Sequence, residues 1–170
     1  MRSSPQARDP RIRLLLGLLD ESFERRAWQG PNLRGALRGV RAAEAAWRAA
    51  PGTHNIWELT LHIAYWEYAA ARQLTGQKRG SFPIAGSNFF RRPVSPTEKA
   101  WRADLAVLAD AHRGLRAAIA AFPPRALDRR PRGSKYTAAT ILYGVASHNV
   151  YHTAQIQLLK SLRSKSRRGR

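Results

Sequence analysis

Apolar residues recur at helical spacing in four separate stretches of the chain. Ile12, Leu15, Leu19 and Phe23 fall three or four apart, which places them on one face of a helix beginning near Pro10. Trp28, Gln29, Gly30 and Pro31 end that helix, because glycine and proline both disfavour its continuation. Asn32 is placed to cap a short helical piece, and two such pieces run to Ala50 before Pro51 and Gly52 break the pattern. Asn55 followed by Glu58 reads as a capping box opening a second long helix, with Leu59, His62, Trp66 and Ala69 on its inward stripe. Thr97 and Glu98 open a third, striped by Trp101, Leu105, Leu108, His112, Leu115 and Ile119 and stopped at Pro123 and Pro124. The fourth starts near Thr137 and carries Ile141, Val145, His148, His152, Gln155 and Leu159 on one face.

No strand-like alternation of useful length competes with these patterns. The expected fold is therefore all-α, a four-helix bundle with short extra helices between the first and second long helices. The expected organisation is a flexible leader over residues 1 to 9, the bundle domain over residues 10 to 162, and a basic, disordered tail over residues 163 to 170. Residues 76 to 96, rich in glycine, proline, serine and aromatics, are longer than a passive connector needs and are expected to cover a site.

Composition narrows the chemistry. A chain of 170 residues with 44% hydrophobic content suits one domain with a sizeable core. No segment reaches the roughly 18 to 20 apolar residues of a membrane span, and no secretory signal is evident, so a cytoplasmic protein without a membrane partner is expected. The absence of cysteine excludes disulfides and thiolate ligands, leaving histidine, carboxylate or water for any transition metal. A net charge of +19 points towards nucleic acid or another anionic partner. Yet the arginines are spread through an alanine- and glycine-rich chain, as a GC-rich genome would produce. Only Lys160, Arg163, Lys165, Arg167, Arg168 and Arg170 form a concentrated block.

Four of the five histidines fall in core register. His148 and His152, four apart on one helix, project from the same face and can reach a common ion. His62, on the inward stripe of another long helix, is the best candidate for a third ligand. Three imidazoles would leave an open position for water or substrate, the pattern of a catalytic rather than a closed structural site. Each histidine also has a plainer reading as a hydrogen-bonded core residue, but buried imidazoles cost desolvation that one shared ion offsets. Asn149 follows His148 where a helical zinc protease carries its glutamate base, which argues against that mechanism. Gln155 is placed to orient a ligand imidazole or a bound water, and His112 to act as base, proton shuttle or fourth ligand, or simply as a core histidine. His54 reads as a pocket-rim residue, and Trp57, Trp66 and Trp101 as packing residues of which one walls the pocket.

The run from Asn55 through His62 to Glu67 resembles the second-helix signature of the DinB-like (DinB/YfiT-type) family. The run from His148 through His152 and Gln155 to Ile156, a histidine pair followed three residues on by glutamine, resembles its last-helix signature. The resemblance spans roughly residues 10 to 162. It implies a bundle with an unusual connection order, a three-histidine site for one divalent ion, nickel or zinc, and a homodimer. Relatives of known chemistry are thiol-dependent transferases or isomerases, which implies a low-molecular-weight thiol as co-reactant. Trp28 with Gly30 and Pro31 resembles a segment of one subgroup and would then reach the mouth of the site. The expected function is a metal-dependent transferase or hydrolase acting on a small and, given the charge, anionic molecule. The alternatives are a basic nucleic-acid-binding module with a structural bundle, and a metal-binding protein without activity.

Overall fold

Side-chain caps set where the helices begin. In the computed structural model, which describes residues 9–78 and 80–168, Asp9 accepts a hydrogen bond from the Arg11 amide to open α1 (Pro10–Phe23), with Pro10 in its first turn. Asn32 caps α2 (Leu33–Leu37), and the short α3 (Ala42–Ala45) follows. Asn55 caps α4 (Ile56–Thr75), which ends at Gly76 in the left-handed conformation that glycine adopts without penalty. Thr97 caps α5 (Glu98–Ala121), and after a 3-10 turn at Pro124–Ala126 the last helix, α6 (Ala138–Arg168), completes the fold. Among the described residues no helix is long and apolar enough to cross a membrane.

Two boundaries differ from the sequence reading. Residues 1–8 of the expected leader lie outside the described residues, and Asp9 belongs to the α1 cap. The expected tail is helical as far as Arg168, because arginine, lysine and serine continue α6 without a breaker and cations suit a helix C-terminus. The end of α6 is also docked: Lys160 donates to the Ala36 carbonyl and Arg163 to that of Ala43, both at 2.6 Å, tying it to α2 and α3.

The four long helices pack in the cyclic order α1, α5, α4, α6. The chain therefore crosses the bundle diagonally twice, from α1 to α4 and from α5 to α6, which is the unusual connection order that the resemblance implied. Along its length the core divides into two apolar clusters. One holds Leu33, Trp57, Leu61, Trp101 and Ile156, the other Ile12, Leu19, Leu115, Ile119 and Leu142.

A polar layer connects the four helices in the intervening register, one residue from each. Ser22 of α1, Glu67 of α4, His112 of α5 and Asn149 of α6 are all buried. Glu67 Oε1 accepts from Asn149 Nδ2 at 2.7 Å and from His112 Nδ1 at 3.2 Å, while Asn149 Nδ2 also reaches Ser22 Oγ at 3.3 Å. Such a layer fixes which residues face which, since sliding one helix by a turn would strand polar groups among apolar ones.

The capping box expected at Asn55 forms only in part. Asn55 Oδ1 accepts from the Glu58 amide at 2.8 Å, but the buried Glu58 carboxylate pairs instead with Arg48, His54 and the Arg92 amide. Asn55 Nδ2 donates to the Arg92 carbonyl at 2.7 Å. The first turn of α4 thus anchors the far end of the long loop between α4 and α5, and this anchoring brings the middle of the loop onto the site.

Candidate metal centre

His62, His148 and His152 converge on the edge of the bundle where α4 meets α6. Each offers one nitrogen, and the three atoms lie within 4.8 Å of one another. His148 Nε2 is 3.0 Å from the Nε2 of both His62 and His152. The i, i+4 spacing on α6 supplies two of the rings, and the packing of α4 against α6 brings the third across.

Hydrogen bonds on the far side of two rings decide what the convergent nitrogens are. His62 Nδ1 donates to the Asn88 carbonyl at 2.9 Å, and His152 Nδ1 donates to the Gln155 amide oxygen at 2.6 Å. Both partners are acceptors, so in the neutral rings both Nε2 atoms present lone pairs to the same space. His148 can donate one Nε2 proton to one of them and never to both. Its Nδ1 is buried without a partner. A cation among the three nitrogens would accept all three lone pairs at once, and two nitrogens 3.0 Å apart can both lie about 2.0–2.1 Å from one ion. The donor set therefore fits a divalent transition metal.

Electrostatics keeps the rings in the binding form. Burial pushes His62 down to about 4 and His148 down to about 3, with the neighbouring imidazoles adding to the fall. Burial lowers His152 as well, against the opposing hydrogen bond to Gln155. Near neutral pH protons do not compete for these nitrogens.

The long loop roofs the cluster. Asn88 holds a positive φ of 64°, a conformation asparagine tolerates better than most residues, and there its carbonyl fixes His62 while its side-chain oxygen accepts from Trp66 Nε1 at 3.0 Å. Phe89 stacks on His62 at 3.9 Å between ring centroids and on His54 at 3.8 Å, so His54 sits at the rim, as its position in the sequence suggested. Trp66 stands edge-on to His62 and His148 and is 40% exposed. It belongs to the mouth of the site, although its spacing had placed it on the inward stripe. Trp57 and Trp101 are core residues, donating to Asp104 and to the Val40 carbonyl. Trp28, which the sequence suggested would reach the mouth, is 99% exposed.

The two further site candidates part company. Gln155 lies against His152, in position to hold that ring. His112 does not join the cluster: its Nδ1 is committed to Glu67 in the polar layer, and its ring stacks on Phe23 at 3.5 Å. Sequence reasoning gave no role to Asn88 or Glu67, placed Phe89 only within a loop expected to cover a site, and weighed Asn149 only against a protease base, because their partners depend on the path of that loop and on the register of α4 and α6.

A diagonally connected helical bundle with three convergent imidazoles on one edge defines the class of protein. The family model of the DinB superfamily matches residues 25–156, a span that includes all three histidines, and the chain belongs to that superfamily. No curated protein and no solved structure matches the chain.

Proposed function

We propose that the protein is a metal-dependent enzyme that binds one divalent ion, zinc or nickel, through His62, His148 and His152 and acts on a small anionic molecule. The observation that carries this reading is the pair of hydrogen bonds from His62 Nδ1 to the Asn88 carbonyl and from His152 Nδ1 to the Gln155 oxygen, which leaves two Nε2 lone pairs aimed at one point beside a third imidazole. Three nitrogen ligands leave room for a further one, and Lewis-acid activation of water or of a low-molecular-weight thiol is the chemistry such an ion supplies. The residues around it hold and shield: Asn88 and Gln155 fix ring orientation, while Phe89 and Trp66 screen one side from water. Asn149, buried in the polar layer, is no proton acceptor, so a glutamate-assisted protease mechanism is not part of the proposal. Transfer to a thiol is the reading that the family resemblance favours, hydrolysis the competing one. Leu14 and Leu18 on α1, with Leu158 and Leu162 on α6, are exposed pairs on two adjacent helices and support a homodimer.

The test compares zinc- or nickel-loaded protein with chelator-treated protein on an electrophilic acceptor, with and without a small thiol. Turnover that needs both metal and thiol is the expected result, and metal-dependent turnover without thiol would place the protein among hydrolases. Turnover that persists after complete metal removal would overturn the proposal. Gln155→Ala should weaken metal binding by about 10- to 100-fold, the usual effect of removing a partner that orients a ligand ring, as read by competition with a chromogenic chelator.

A further inference from the structure

An open cleft of about 900 Å³ lies between the end of α1, α2 and α5, and shares no lining residue with the histidine cluster. In the cyclic helix order, α1 and α5 form the edge opposite α4 and α6. Apolar side chains line it, chiefly Phe23, Leu37, Leu105 and Leu108, and five arginines surround them: Arg25, Arg34, Arg38, Arg113 and Arg116. Glu24 is the one carboxylate among the lining residues.

The arginines are unequally engaged. Asp20 holds Arg116 at 2.8 Å and Arg25 at 3.5 Å, Glu24 holds Arg34 at 2.7 Å, and Asp110 holds Arg113. Arg38 has no hydrogen bond or ion pair on its guanidinium among the described residues. Five cations against three carboxylates leave the cleft positive, with one cation free.

His112 supplies the second observation. It lines the cleft, is only 4% exposed, and its Nε2 is buried without a hydrogen-bond partner while Nδ1 is held by Glu67. Stacking on Phe23 fixes the ring. A buried polar atom left unpaired beside a cleft marks where a bound group can recover an interaction, and because Nδ1 donates to Glu67, the Nε2 of the neutral ring is an acceptor that calls for a donor such as a hydroxyl and not for an anionic head.

We propose that this cleft is a second ligand site, for an amphipathic anion whose carboxylate or phosphate end pairs with Arg38 and whose apolar body lies on Phe23, Leu37, Leu105 and Leu108. A volume of this size is within the usual range for small-molecule sites, and an apolar lining with a few polar groups is their usual character. Arginine suits both acidic heads because its planar fork matches either one bidentately.

Calorimetric titration of the full chain with decanoate, decyl phosphate and decanol tests this. Decanoate or decyl phosphate should bind at one site, with decanol markedly weaker, and the preference between the two anions tells which head the site takes. Arg38→Glu should weaken the preferred anion by at least about tenfold, the effect of losing one charge-assisted hydrogen bond. Arg102→Glu, an exposed α5 arginine outside the cleft, should leave it unchanged, as should His148→Ala on the opposite edge. Circular dichroism establishes that each variant is folded. Absence of binding by both anions, equal binding of decanol, or equal weakening by Arg38→Glu and Arg102→Glu would overturn the proposal.

Discussion

His148→Ala is expected to leave the purified chain with almost no zinc or nickel while its helical content stays that of the parent. His148 Nε2 is the nitrogen that stands 3.0 Å from both of the others, so its loss removes the middle of the cluster. Removing even a partner that merely orients a ligand costs about 10- to 100-fold in metal affinity, and removing the ligand itself must cost more. The fold has little reason to suffer. His148 is half-buried, its Nδ1 has no partner, and burial already disfavours its charged form. Elemental analysis of untagged protein after dialysis, beside circular dichroism, makes the comparison. Stoichiometric metal in His148→Ala would show that the ion sits elsewhere and would remove the basis of the enzyme reading. Loss of metal together with loss of helix would instead show that the cluster is structural.

The reason that so much of this arrangement was legible beforehand is local. Proline and asparagine at positions 10, 32 and 55 and the threonine at 97 mark helix starts by interactions within one turn, and each helix begins where its cap predicts. The pair His148 and His152 is likewise a one-turn relation. What sequence could not display are relations between helices. Trp66 and Glu67 are neighbours on α4, and periodicity placed the tryptophan on the inward stripe and did not include the glutamate. The packing of α4 against both α5 and α6 reverses them: Ile63, Glu67 and Ala70 are buried, and Trp66 is at the mouth. The positions of Asn88 and Phe89 over His62 depend on a loop anchored more than thirty residues away in sequence, at Asn55 and Glu58. His112 was recognised as an inward histidine, but its partner lies forty-five residues away on another helix, at a position outside the apolar stripe.

The largest expected loss of stability follows from that buried glutamate. Glu67 is fully buried and accepts hydrogen bonds from His112 of α5 and Asn149 of α6, while Asn149 reaches on to Ser22 of α1. Glu67→Ala deletes the acceptor and leaves two donors facing a cavity, a change expected to cost about 3–5 kcal/mol in urea denaturation. That is a large part of the roughly 5–15 kcal/mol by which domains are stable. Glu67→Gln keeps the shape and the one oxygen that both donors share, but places an NH2 without an acceptor where Oε2 stood unpartnered, so it should cost less, about 1–3 kcal/mol. The decisive variant replaces three of the four members and keeps Ser22, whose Oγ still donates to the Leu19 carbonyl. With Glu67→Leu, His112→Phe and Asn149→Leu together, no polar group is left stranded, and the triple variant should be more stable than Glu67→Ala alone, because the cost of breaking such a layer exceeds its net contribution. If Glu67→Ala cost less than about 1 kcal/mol, the layer would hold nothing together. The triple variant separates stability from register: Asn149 adjoins His148 on α6, and Glu67 shares α4 with His62. An apolar layer that preserves stability yet weakens metal binding would show that these polar contacts set the alignment of α4 and α6 on which the three imidazoles depend.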